Sequence, residues 1–507
     1  MNTITHQGKI LAMIIPADYH AEGIQFFTPA EFSQQMAYMH HKEGHLIKPH
    51  FHNKISREVF YTQEVLFIRK GKLEVNFYDD LQNYLESYIL NAGDVILLAS
   101  GGHGFTVLED LEMIEVKQGP YTGDQDKTRF ISAKRKMIPV NEPLLNGNEK
   151  KYLCECIDSG WISSEGPFVR RFEEEFAAYH GRKYGIAVAN GSGALDVAVA
   201  ALELAPGDEV IMPALTIISC ALSVVRAGAV PVLVDSDPAT WNIKPDLIEE
   251  KITPRTKAIM PVHLYGLPAD MDPILALAEK YGLKVIEDSA EAIGQTYKGR
   301  HCGNLGTIST FSFYPNKHVT TGEGGMILTN DEKLARRCRS FRNLCFPEKR
   351  QYIHEDMGWN YRMSNLQAAL GVAQLEKLSA TIRKKRHIGK YYTALLQDVG
   401  GITLPVQATN YAENIYWIYG IVLQADTGLN NLDFCQRLAE YKIGTRYFFT
   451  PMHKQPVWKK RGLFTGESYP VSEFLSKMGF YIPTGVGLTD SQIEEVVKTI
   501  REILRHG

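Results

Sequence analysis

From about residue 142 onward, apolar strand-like runs alternate with helix-like runs, and this alternation constrains the fold more than any other feature. Strands are expected at 186–189, 209–212, 230–234, 258–262 and 283–287, with helices between them, for example 271–281. Parallel neighbours need a crossover long enough to hold a helix, and a sheet covered on both faces has almost continuously apolar strands. The expected class is α/β, with a mostly parallel sheet. After Met363, a helical stretch rich in Ala, Leu, Gln and Lys runs to about residue 392. A smaller mixed segment follows, with a strand expected at 416–423 and helices at 432–441 and 490–505.

The first 130 residues have a different rhythm. Short alternating strands at 65–68, 72–78, 85–90, 94–98 and 111–117 are separated by turn residues, the pattern of a small antiparallel barrel or jelly roll. Residues 131–141 are basic and polar, then proline-bearing, and are expected to be a linker. The expected organisation is a β-barrel over 1–130, the linker 131–141, a large domain over 142–380 and a small domain over 381–507.

Composition excludes several classes. A net charge of −3 on 507 residues offers no bulk attraction for nucleic acid or an anionic membrane. The longest apolar runs, such as 224–234, are interrupted by Arg226 and are too short to span a bilayer. Residues 1–9 lack the charged-then-apolar pattern of a signal peptide. The seven cysteines are odd in number and form no CxxC pair, which points to a reducing, cytoplasmic compartment without disulfides.

The chemistry concentrates in 311–325, Phe-Ser-Phe-Tyr-Pro-Asn-Lys-His-Val-Thr-Thr-Gly-Glu-Gly-Gly, and in Val285-Ile-Glu-Asp288. A lysine that forms a Schiff base needs a pocket that lowers its pKa, and Lys317 follows an aromatic-rich strand. A pyridoxal phosphate enzyme also needs a carboxylate facing the pyridine nitrogen, a role that Asp288 at a strand end can take. A third element, Gly191-Ser192-Gly193 between a strand and an apolar helix, offers backbone N–H groups and a hydroxyl to a phosphate.

These motifs, with Trp161-Ile-Ser-Ser-Glu-Gly166, Pro206-Gly-Asp-Glu-Val-Ile211, Pro261-Val-His-Leu-Tyr-Gly266, Gly358-Trp-Asn-Tyr-Arg-Met363 and Pro451-Met-His453, resemble the sugar aminotransferases of DegT/DnrJ/EryC1/StrS type. Within that family they are most like the GDP-perosamine synthase branch. The resemblance implies an aspartate aminotransferase-like fold (pyridoxal phosphate fold type I) with a small α+β C-terminal domain. It implies that Lys317 holds pyridoxal 5′-phosphate, that Asp288 faces the ring nitrogen, and that Ser312, Gly191 and Ser192 hold the phosphate. Asn360 matches a position that reaches the phosphate from the partner of a homodimer with shared active sites. Glu291 matches a position near the phenolic oxygen, or is a solvated carboxylate at a helix start. Ser163, Ser164, Arg446 and His453 match positions near a nucleotide sugar, and His453 could equally be a packed histidine.

The implied reaction moves an amino group, with glutamate as donor, to a nucleotide-linked 4-keto-6-deoxy sugar. One departure is Ile217, which follows Pro213-Ala-Leu-Thr216 where many relatives stack an aromatic residue on the cofactor. A dehydratase branch carries histidine at the lysine position. Ser312, five residues before Lys317, keeps lysine in that register and His318 outside it. A nucleotide-sugar dehydratase and a non-enzymatic sugar-sensing protein on the same fold remain the alternatives.

In the first domain, Pro49-His50-Phe-His52, Gln63-Glu64, Gly93-Asp94 and Gly101-Gly102-His103 resemble the cupin pattern. His50 and His52 would share a strand face and, with Glu64 and His103, could surround a divalent metal. The long gap from His52 to Glu64 and Ala99 in place of a common proline depart from that pattern. A metal site, a metal-free sugar isomerase or epimerase using histidine as acid or base, and a non-catalytic module all stay open.

Overall fold

The computed structural model describes residues 1–47, 59, 62–117, 128, 130, 137–347 and 352–506. The chain divides into two compact units, Met1–Met137 and Ile138–Gly507.

The first unit is antiparallel β throughout its described residues. Its strands are β1 (Asn2–His6), β2 (Lys9–Ile15), β3 (Gly23–Phe26), β4 (Ala37–His40), β5 (Glu64–Lys70), β6 (Lys72–Tyr78), β7 (Tyr84–Asn91), β8 (Val95–Leu98), β9 (Gly102–Val107) and β10 (Glu112–Lys117). They form a five-stranded sheet in the order β1-β2-β8-β5-β10, a three-stranded sheet β7-β6-β9 and the hairpin β3-β4. Leu66, Ile68, Ile96 and Leu98 of the larger sheet pack with Leu73, Val75, Phe77 and Leu90 of the smaller one. The alternating pattern of the sequence thus becomes one buried face per sheet.

The second unit opens with α1 (Glu149–Ser159) and α2 (Pro167–Tyr179). The strands and helices β11 (Tyr184–Val188), α3 (Gly191–Ala201), β12 (Glu209–Pro213), α4 (Ser219–Arg226), β13 (Val230–Val234), β14 (Thr256–Ile259), α5 (Met271–Tyr281) and β15 (Lys284–Asp288) follow. Next come the short pair β16 (Thr296–Tyr297) and β17 (Arg300–His301), then β18 (Ile308–Ser312), β19 (Gly325–Thr329) and α6 (Glu332–Arg342). Seven of these strands make one sheet in the order β11-β19-β18-β15-β14-β12-β13. The pairs from β18 through β13 are parallel, and β19 runs antiparallel to both neighbours. All five residues of β12 are buried, as expected for a strand covered on both faces.

The long helix α7 (Asn365–Leu396) starts on a capping box, with the Ser364 side chain accepting from the Gln367 N–H and the Gln367 side chain accepting from the Ser364 N–H. It runs unbroken through residue 380, so the expected border between large and small domains falls inside a helix. Beyond it lie β20 (Ile402–Thr403), β21 (Tyr419–Leu423), α8 (Asn431–Glu440), β22 (Arg446–Tyr447), α9 (Pro456–Lys459), α10 (Pro470–Met478), β23 (Gly479–Ile482) and α11 (Asp490–His506). The sheet β20-β21-β23-β22 packs its apolar face with α7, α8 and α11 through Tyr392, Ile421, Phe434, Phe480 and Ile500.

The end of the expected linker is structured. Ile138 is 3% exposed, its N–H donates to the Lys442 carbonyl, and its own carbonyl accepts from Gly444. Residues 138–140 therefore belong to the second unit. Residues 131–136 lie outside the described residues.

Candidate active site

The parallel strands of the second unit end at one edge of the sheet, and a cavity of about 610 Å³ opens there. In open α/β sheets this edge is where ligands bind, because the loops that leave the strand ends diverge around a crevice. Asp288 is the last residue of β15, Ser312 is the last of β18, and Gly191 opens α3. These three line the cavity together with Ser192, Ile217, Glu291, Thr310, Lys317, Trp417 and Tyr481.

Lys317 projects into this cavity with its side chain 10% exposed. Its Nζ is 3.8 Å from Glu291 Oε1 and 3.6 Å from the centre of the Trp417 ring. Burial pushes the amine below its usual range, while the carboxylates of Glu291 and Asp288 pull the other way. Burial also raises Glu291, against the nearby Lys317 amine and the Tyr265 N–H that donates to its Oε2 at 2.8 Å. Glu291 is 6% exposed, so it is a buried wall of the site and not a solvated helix-start carboxylate.

Asp288 is 2% exposed, and burial raises its carboxyl above the usual range. Its donors are the Ala290 N–H at 3.0 Å on Oδ1 and the Cys220 thiol at 3.3 Å on Oδ2. A thiol is a weak donor. The neighbouring Glu287 anchors the strand end from behind: it is fully buried and accepts from Leu305 and Gly306 N–H, each at 2.9 Å, and from His263 Nε2 at 2.9 Å. His263, Glu287 and Cys302 form the one close cluster of metal-ligand types among the described residues. The carboxylate oxygens there are already taken by backbone donors and an imidazole.

At the N-terminus of α3, Asn190 caps the helix by accepting from Gly193 N–H at 2.8 Å. Ser192 Oγ lies 2.7 Å from Ser219 Oγ. A Cβ on Gly191 would stand 2.7 Å from Ser312 Cβ, so glycine is what lets the helix start approach β18. The Thr310 hydroxyl in the cavity wall is buried without a partner. A helix N-terminus flanked by hydroxyls, a buried carboxylate short of a cationic partner, and a lysine of lowered pKa fit pyridoxal phosphate.

The remaining expected residues lie elsewhere. Asn360 is exposed, in the loop before α7, and does not line the cavity. Ser163 and Ser164 line a second cavity of about 680 Å³ with Arg336, Arg339, Arg342 and Arg362. Arg446 is exposed on β22 opposite Tyr481, beside the cavity rim. His453 is 3% exposed, and its Nε2 meets Glu473 Oε1 at 2.8 Å, the packed alternative of the two readings. In the first unit, Glu64 of β5 and His103 of β9 meet across the two sheets at 3.3 Å. His50 and His52 lie outside the described residues. Sequence reasoning missed Trp417, Tyr265, Cys220 and Ser219. Trp417 sits in an aromatic stretch expected as a strand, Tyr265 lies inside the Pro261–Gly266 motif without an expected role of its own, and nothing local marks Cys220 or Ser219.

Comparison with known proteins decides the family. The profile of the DegT/DnrJ/EryC1/StrS aminotransferase family matches residues 143–501. The chain belongs to this family. As a DegT/DnrJ/EryC1/StrS member it is a pyridoxal phosphate-dependent sugar aminotransferase. It is 42% identical to the GDP-perosamine synthase of Caulobacter vibrioides over 367 residues, 72% of this chain and 98% of the relative. It is 41% identical to that of Escherichia coli O157:H7 over the same shares. Among solved structures it resembles DesV of S. venezuelae (TM-score 0.66, 33% identity, 70% of this chain and 94% of that one). It also resembles DesI in the presence of its TDP-sugar product (TM-score 0.67, 29% identity, 73% and 94%). The family match begins at residue 143, past the first unit.

Proposed function

We propose that this aminotransferase moves an amino group from glutamate to the C4 ketone of a nucleotide-linked 4-keto-6-deoxy sugar, in the cytosol, as a step toward deoxyamino sugars of surface polysaccharide. The cavity that gathers Lys317, Asp288, Glu291, Ser312, Gly191 and Ser192 at one sheet edge carries the reading. Relatives named GDP-perosamine synthase, matched over nearly their whole length, support the sugar class.

Pyridoxal 5′-phosphate supplies, when bound, an electron sink for the pair left behind when a C–H bond beside nitrogen breaks. Lys317 would hold it through Nζ and, once released, moves a proton at the α-carbon of glutamate and later at C4 of the sugar. Its amine is suited to this because burial has already lowered its proton affinity. Asp288 would set a negative charge against the pyridine nitrogen. The Ser312 and Ser192 hydroxyls and the Gly191 N–H would hold the phosphate. Glu291 stands within 3.8 Å of the Lys317 amine and would sit near the phenolic oxygen. Trp417, Tyr447, Phe449 and Tyr481 line the cavity with aromatic surface on which a substrate ring can pack.

Asn360, exposed and outside its own chain's cavity, would complete the phosphate site of a partner in a homodimer. Ser163, Ser164 and Arg446 would meet the nucleotide sugar. The first unit is proposed as a cupin-like module in which Glu64 and His103, with His50 and His52, hold a divalent metal or act on a sugar. The test is a mass-spectrometric screen of GDP-, TDP- and UDP-linked 4-keto-6-deoxy sugars with glutamate. An aminated sugar nucleotide is the expected product. A deoxygenated sugar, or no product while the cofactor is bound, would replace the reading with the dehydratase or the non-enzymatic alternative.

A further inference from the structure

The backbone just before β21 is irregular although it is inside the protein. Tyr416 has a left-handed conformation (φ 53°), and Tyr416 and Trp417 are 1% and 4% exposed. The ladder with β23 begins only at Tyr419, so the Trp417 carbonyl gains no partner from that pairing. Thr484, just past the end of β23, is 1% exposed as well. Buried carbonyls outside helices and strands need a donor. Lys385 of α7 supplies both: its Nζ donates to the Trp417 carbonyl at 2.8 Å and to the Thr484 carbonyl at 2.7 Å.

Gly389 lies one turn further along the same face of α7. A Cβ there would stand 2.3 Å from the Tyr416 ring. The helix thus fixes residue 416 by close approach and residue 417 by capturing its carbonyl. From that anchored backbone the Trp417 indole donates Nε1–H to the Asn316 carbonyl at 2.8 Å, and Lys317 Nζ lies 3.6 Å from the centre of its ring.

We infer that Lys385 is a positioning residue: by holding the Trp417 and Thr484 carbonyls, it keeps the Trp417 indole seated over the Lys317 amine. This rests on the proposed role of Lys317 as the reactive lysine. Lys385 is itself 1% exposed, and burial pulls its amine down to about 7. A neutral amine still carries two N–H donors, which matches two carbonyl acceptors, so the staple does not depend on its charge. A methionine at 385 would fill a similar volume but leave both carbonyls without a donor, and the turn that carries the indole would shift.

The test is the rate at which an acetylating reagent modifies Lys317 in the full-length, cofactor-free enzyme, followed by peptide mass spectrometry. Near-ultraviolet circular dichroism serves as the folding control. Lys385→Met and Trp417→Ala should each speed modification about fivefold, because each uncovers the same amine. The double variant should be no faster than the quicker single one, since residues that act through one another are non-additive. Lys385→Gln, which keeps an N–H2 group but on a shorter side chain that cannot reach both carbonyls equally well, should fall between wild type and Lys385→Met. A folded Lys385→Met enzyme with wild-type modification of Lys317, or a double variant whose effects multiply, would overturn the inference. Were Lys385→Met not to fold, a Lys385→Gln enzyme with unchanged modification beside a faster Trp417→Ala would overturn it equally. The readout needs neither substrate nor cofactor, so failure of the proposed amination leaves it standing.

Discussion

The Lys317 amine sits between an indole face and two acidic side chains, in a place where burial already works against its charge. Lys317→Ala removes both the covalent anchor and the proton carrier, and turnover should fall to background while the fold persists. Asp288→Asn keeps the shape but not the charge and should cost about 2–4 kcal/mol of transition-state stabilisation, read as kcat/KM. Near-normal turnover in either variant would remove that residue from its role. A second residue-scale prediction concerns acid. His180 and His318 are buried, and burial pulls each imidazole down to about 3. Both stay neutral in the fold while the unfolded chain binds those protons near pH 6.5. Their contribution is complete above that pH and is lost as pH falls from about 6.5 toward 3, by about 1.4 kcal/mol per unit for each. Burial works against His263 too, but Cys302 and Glu287 hold it up at about 10, so its own contribution is intact below pH 6.5 and does not change there. Glu291 works the other way, because burial raises it to about 7 and the folded chain takes up its proton before the unfolded chain does, but one carboxyl offsets only part of two histidines. Denaturant unfolding should therefore give a lower free energy at pH 5 than at pH 7, and a higher value at pH 5 would contradict these protonation states.

At the scale of elements, the site depends on how closely α3 approaches β18. Gly191→Ala would place a methyl 2.7 Å from Ser312 Cβ, and the helix start must then withdraw from the strand end. Cofactor titration should show affinity reduced at least about tenfold with little change in the secondary structure. Unchanged affinity would mean that this contact does not shape the phosphate site. Much of this geometry was legible in the sequence. Asp288, Ser312 and Gly191 each stand where a strand-like run ends or a helix-like run begins, and a parallel sheet brings such ends together. The strand β19 was less legible, since Gly325–Thr329 is short, fully buried and follows a glycine-rich turn. The first four strands of the first unit were not assigned either: β3 is exposed along its whole length and shows no alternation to read. Trp417 escaped because its position comes from α7, β23 and the loop at Asn316, three places far apart in the chain.

At the scale of the molecule, one chain gathers six of the expected site residues in a single cavity and leaves Asn360 outside it. If Asn360 serves a partner's phosphate site, inactive Lys317 and Asn360 variants should regain partial activity when mixed and allowed to exchange subunits. One of the two sites in a mixed dimer would then have both residues intact, and recovery should approach about a quarter of the wild-type rate at equal mixing. No recovery after confirmed exchange would mean that each site is built from one chain. Among the described residues no helix is long and apolar enough to cross a membrane. The central claim is amino transfer from glutamate to a sugar ketone. Its most direct measurement is incubation of the holoenzyme with ¹⁵N-labelled glutamate and a nucleotide-linked 4-keto-6-deoxy sugar, with product and 2-oxoglutarate followed together. The account predicts ¹⁵N in the sugar and one 2-oxoglutarate formed for each aminated product. A sugar product without the label, or 2-oxoglutarate out of proportion to it, would contradict the account.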